Sequence, residues 1–110
     1  MILTTKIVFA DEKVKEAFEK LKNSPDEKRL YENLMRAFKD IEENPNAFIH
    51  IKQKLIPKVY INKYGIDNLW KYDLPNGWRL LYSLGKGEIE IIAIILEWFD
   101  HKDYEKRFGY

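Results

Sequence analysis

The stretch 69-LWKYDLPNGWRLLYSL-84 decides the fold. Two runs of alternating bulky residues flank Pro75-Asn76-Gly77, which is the composition of a β-hairpin. A three-residue loop, a type I turn closed by a left-handed glycine, pairs Leu74 with Trp78, Tyr72 with Leu80 and Trp70 with Tyr82. All of these side chains are large and apolar or aromatic, so they form one buried face. Lys71, Asp73, Arg79 and Leu81 then share the opposite face. A two-residue loop would set Arg79 beside Leu74 and mix the faces, so register selects the longer loop.

Downstream, after Lys86-Gly87, comes EIEIIAIILEWF (88–99), whose centre is apolar at every position. A strand apolar on both sides belongs in the interior of its sheet. Asp100 then opens a terminal helix or turn, HKDYEKRFGY, in which Phe108 and Tyr110 are expected to anchor the tail to the sheet. Upstream, Thr5 to Phe9 reads as a first strand. From Asp11 a helical pattern sets Val14, Ala17, Phe18 and Leu21 on one face and breaks at Asn23-Ser24-Pro25. Ser24 as N-cap, Pro25 at the first helical position and Glu27 completing a capping box start a second helix. Its stripe is Leu30, Leu34, Ala37, Phe38 and Ile41, and it ends before Asn44-Pro45. Residues 46–66 resist a reading: FIHIKQKL suits a short helix or a strand, and IPKVYINKYGI reads as an irregular connection. The expected architecture is α+β over a single domain, residues 1–110. A strand, a helical hairpin and a three-stranded antiparallel meander make one mainly antiparallel sheet, with helices on one face and the other partly open.

Composition narrows the chemistry. The chain has no cysteine, which excludes disulfides, thiolate metal sites and cysteine nucleophiles. That suits a reducing cytoplasm. MILTTKIVFADEK is too short and too quickly charged for a signal peptide, and no run is long enough to span a membrane. The net charge of +1 hides an uneven distribution: residues 46–82 carry six basic against two acidic side chains, an excess that attracts anions such as a nucleic-acid backbone. Two histidines without clustered carboxylates make no metal site, so neither metal nor cofactor is expected. Gly85-Lys86-Gly87 is a hairpin turn rather than a phosphate loop, and Ser83 has no triad.

Arg79 is the most informative single residue, because an arginine in mid-strand needs a partner or solvent. One reading is a cross-strand ion pair with Asp73; the other is a phosphate clamp, since guanidinium offers paired hydrogen bonds and keeps its charge. Lys71, diagonal to it, is either a solubilising charge or part of the same anion site. His101, just past the last strand, is either a surface histidine or an acid–base group near neutral pH. Tyr104, three residues on, either packs the tail down or stacks on a nucleobase. His50 has no obvious partner and reads as incidental.

The element order, LWKYDLPNGWRLLY and the ending IIAIILEWFDHKDYEKRFGY together resemble the RelE/ParE superfamily of type II toxins. The architecture covers the whole chain and the motifs about residues 66–110. The resemblance implies a metal-independent endoribonuclease that cuts mRNA, often on the ribosome, and is inhibited by a cognate antitoxin in a hetero-oligomer. It implies Arg79 as phosphate stabiliser, Lys71 for electrostatic stabilisation or proton transfer and His101 as general acid or base. Tyr104 would stack on the substrate base, and Lys102 would support binding. Two departures stand out: Asp73 replaces a second basic residue of many active members, and the overall charge is nearly neutral. These point to the alternative, a non-catalytic ParE-like toxin or inactive homologue that acts by binding a protein such as DNA gyrase.

Overall fold

The computed structural model describes residues 4–109. Five strands form one sheet in the order β1-β5-β4-β3-β2. These are β1 (Thr4–Phe9), β2 (Ile49–Ile51), β3 (Leu69–Asp73), β4 (Arg79–Lys86) and β5 (Glu90–Phe99). β2, β3, β4 and β5 pair antiparallel in turn, while β1 lies parallel to β5. The apolar run of β5 is thus flanked by a strand on each side, as its composition requires. The fold is α+β with a mixed sheet.

The hairpin has the expected register. Trp70 faces Tyr82, Tyr72 faces Leu80, Asp73 faces Arg79, and Leu74 N–H donates to the Trp78 carbonyl at 2.9 Å. Its turn differs from expectation. Asn76 is already left-handed (φ 62°), as is Gly77 (φ 79°), so the loop is not a type I turn closed by glycine alone. Asparagine tolerates this conformation better than other residues with a Cβ.

α1 (Glu12–Lys22) and α2 (Lys28–Glu43) cover one face of the sheet. Asp11 caps α1 by accepting from Val14 N–H at 2.9 Å. The capping box expected at Ser24 and Glu27 is not formed. Pro25–Glu27 makes a single 3₁₀ turn, Ser24 serves through its carbonyl, and α2 starts only at Lys28. Backbone i→i+3 bonding replaces the side-chain cap there. Leu34, Ala37, Phe38 and Ile41 are buried against Leu74, Leu80, Tyr82, Ala93 and Ile95. Phe18 joins this layer to α1 by ring contacts with Phe9, Tyr31 and Phe38.

The second face corrects the expectation of an open surface with helices on one side only. It carries α3 (Lys58–Tyr64) and α4 (His101–Phe108), and a second core unites Ile51, Tyr60, Leu69, Leu81, Leu96, Phe99 and Tyr104. α3 falls where the sequence reads as an irregular connection. Tyr60 and Tyr64, one helical turn apart, sit on its inner side, and Gly65 ends it in the left-handed conformation (φ 64°). A β-bulge shapes the same face. Leu81 pairs with Glu97 but Tyr82 pairs with Ile95, leaving Leu96 as the extra residue. Leu96, Glu97 and Phe99 therefore all serve one side of the sheet, which strict alternation forbids. α4 is capped by Asp100, which accepts from Asp103 N–H at 2.9 Å. Phe108 packs on Tyr104, as expected of an anchor; Tyr110 lies outside the described residues. None of these helices is long and apolar enough to cross a membrane.

Candidate functional site

The hairpin register places Lys71 on β3 between Ile49 and Leu81, and Arg79 at the start of β4 between Asp73 and Phe99. Both side chains run along the second face, where their aliphatic stems lie against apolar neighbours. Lys71 is 16% exposed and Arg79 19%, too hidden for either charge to be left to solvent alone. Asp73 supplies the countercharge. Its Oδ1 lies 3.4 Å from Lys71 Nζ and 3.1 Å from Arg79 Nε, so one carboxylate oxygen receives both cations. The Arg79 Nε–H is out of line with that oxygen and makes no hydrogen bond, whereas its NH1 donates to the Trp78 carbonyl at 3.2 Å. Arg79 is therefore held by charge and by one backbone bond, with donors to spare.

Beneath both cations lies the ring of Tyr104. Lys71 Nζ is 5.2 Å from its centroid and Arg79 Cζ 5.6 Å, within cation–π range. The ring is only 9% exposed and is also packed by Phe99 and Phe108. Its observed work is to seat the two cations and to dock α4.

His101 begins α4 beside the hairpin turn: a Cβ added to Gly77 would lie 3.6 Å from His101 Cβ. Its side chain is 60% exposed, and Nε2 meets Glu105 Oε1, one turn along, at 2.8 Å. Lys102 is exposed on the same helix. The structure thus brings Lys71, Arg79 and Tyr104 together around Asp73, while His101 and Lys102 stand at the solvent side of α4. His50 packs its ring on Trp70, at 4.7 Å between centroids. Ser83 is buried and donates to the Asn68 carbonyl at 2.8 Å. Among the described residues no group of three or more His, Asp or Glu side chains is placed to hold a metal ion.

A second polar constellation was not legible in the sequence. Glu97, turned inward after the bulge, accepts from Tyr60 Oη at 2.5 Å and from Arg107 NH2 at 2.9 Å. Burial, reinforced by the Glu97 carboxylate, drives the Tyr60 phenol far above its ordinary pKa. Burial pulls the other way on Arg107, but Glu97 and Tyr60 together outweigh it and the guanidinium ends above its ordinary value. Nearby, Asp11 accepts from Tyr64 Oη at 2.9 Å and meets Lys63 Nζ at 3.6 Å. The backbone bond from Val14, then Tyr64 and Lys63, hold the Asp11 carboxyl below its ordinary value despite partial burial.

No protein-family model, curated protein or solved structure matches the chain.

Proposed function

We propose that this chain is a RelE-like toxin, a metal-independent endoribonuclease that cuts mRNA on the ribosome in the cytoplasm and is inhibited by a cognate antitoxin. The supporting observation is the convergence of Lys71 Nζ and Arg79 Nε on a single carboxylate oxygen of Asp73. A group that binds one anionic oxygen through two cations, with further guanidinium donors free, has the chemistry to bind a phosphate oxygen in its place.

In this reaction the ribose 2′-hydroxyl attacks the adjacent phosphorus, the P–O5′ bond breaks, and a 2′,3′-cyclic phosphate and a 5′-hydroxyl result. Arg79 would carry the charge that builds on the phosphoryl oxygens, an effect strongest in a water-poor setting. Lys71 would add to it or pass a proton. His101, released from Glu105, would serve as general acid or base at the rim, with Lys102 holding the RNA backbone. Tyr104 would act from below by keeping both cations in place.

The experiment is controlled induction in a bacterial host with the ends of cellular mRNA mapped. Cleavage inside codons is expected with the native chain. Arg79→Ala is expected to reduce cleavage at least about a hundredfold, the usual size of a lost charge stabiliser. Intact mRNA together with DNA damage would overturn this reading in favour of a non-catalytic, ParE-like toxin acting on DNA gyrase. Asp73 favours that second reading, because its carboxylate already offsets part of the charge of the two cations. Growth without harm would leave only an inactive homologue.

A further inference from the structure

Apart from the Lys71–Arg79 cluster, a cleft of about 290 Å³ opens between α1, α3 and β5. That is near the lower end of the size range of small-molecule sites, roughly 300 Å³ upward. Val14, Val59, Leu96 and Trp98 give it an apolar and aromatic wall. Its polar edge holds the two constellations already described, Asp11–Tyr64–Lys63 and Glu97–Tyr60–Arg107.

The hydrogen-bonding capacity of that edge is lopsided. Asp11 uses Oδ1 for Val14 N–H and Oδ2 for Tyr64 and Lys63. Glu97 uses Oε2 for Tyr60 and Oε1 for Arg107. Each carboxylate is thus engaged through both oxygens, and each phenol has spent its one proton. The cations are not saturated. Lys63 has three N–H groups and meets Asp11 at 3.6 Å, while Arg107 gives Glu97 one of its five. Lys13, exposed on α1, adds a third cation at the same rim. Three cations, Lys13, Lys63 and Arg107, face two carboxylates, Asp11 and Glu97, so the rim has one positive charge in excess.

We infer that this cleft is a binding site for a small organic carboxylate with a flat or branched apolar body. The body would lie on Trp98, Val59 and Leu96, and the carboxylate would take the spare donors of Lys63 and Arg107. An ammonium head would meet a rim with one positive charge in excess, and a neutral head would forgo the charge-assisted bond. The concave, half-enclosed shape favours a free small molecule over a flat macromolecular surface.

The test uses the whole chain and three probes sharing one ring system: naphthalene-1-acetate, naphthalene-1-acetamide and 1-naphthylmethylamine, titrated calorimetrically. The acetate should bind one to one and about tenfold more tightly than the amide, the worth of one charge-assisted hydrogen bond, with the amine weakest. Lys63→Ala, a change at an exposed side chain, should weaken the acetate about tenfold and leave the amide alone. Ala17→Phe, which projects a ring into the cleft from α1, should abolish binding of all three. Circular dichroism and melting of both variants would establish that they fold. Equal affinity for the three probes, no saturable binding of the acetate, or affinities indifferent to both substitutions would overturn the inference.

Discussion

At the scale of single residues, Asp73 sets the behaviour of the cation pair. It is 48% exposed, while the two cations it holds are largely covered. Removing its charge should leave Lys71 and Arg79 uncompensated and ready for phosphate. Asp73→Asn is therefore expected to tighten binding of a short single-stranded RNA about tenfold at low salt, and to steepen the dependence on salt concentration. Fluorescence anisotropy at two salt concentrations reads both. An unchanged affinity in Asp73→Asn, with Arg79→Ala still weakening binding, would mean that Asp73 does not compete with the ligand. The pairing of Arg79 with Asp73 was legible in the sequence, because an antiparallel register follows from alternation and loop length alone. The diagonal placement of Lys71 follows from the same register, whereas the sharing of one Asp73 oxygen and the docking of Tyr104 beneath both cations are not encoded in strand pairing.

At the scale of elements, short helices were the hard part. α1 and α2 advertise themselves by long apolar stripes, whereas α3 is seven residues whose β-branched and aromatic content disguises it as an irregular connection. The signals it does carry are the Tyr60/Tyr64 spacing and Gly65 at its end. The bulge at Leu96 is harder still, because an apolar run gives no hint of where alternation slips. Glu97 consequently carries no signal in the sequence that it is the acceptor for Tyr60 and Arg107. Asp100 reads as opening a helix or a turn, and the segment is the helix α4, whose cap provides a measure of the element. Asp100→Ala should cost about 1 kcal/mol by denaturant unfolding, the usual worth of an N-cap. Because α4 carries Tyr104, the same change should raise amide exchange along Tyr104–Phe108. A variant with native stability and exchange would show that packing alone fixes the helix.

At the scale of the whole molecule, three tyrosines, Tyr60 and Tyr82 buried and Tyr72 half-buried, tie helices and loops to the sheet. Tyr60 bonds Glu97, Tyr72 bonds Asp40 at 2.6 Å, and Tyr82 bonds the Pro45 carbonyl at 2.7 Å. Burial, and for Tyr72 the Asp40 carboxylate, pushes the Tyr72 phenol from 10.0 up to about 12. The folded state therefore keeps this proton after the unfolded chain has lost it. The contribution is complete below pH 10.0 and is lost as pH climbs toward about 12. Urea midpoints measured across that interval should fall for the native chain and fall less steeply for Tyr72→Phe. Superimposable profiles would refute the assignment.

The pairing of β1 with β5 has a consequence for how the chain comes to be folded. Every β1 residue meets a partner 86 positions later, from Thr4 with Glu90 to Phe9 with Ile95. Bringing such distant segments together costs chain entropy before any contact repays it, so this seam is expected to close late. Until it does, one flank of the most apolar strand in the molecule stays uncovered. During synthesis β1 emerges 86 residues ahead of its partner, and the interval is a window for misassociation.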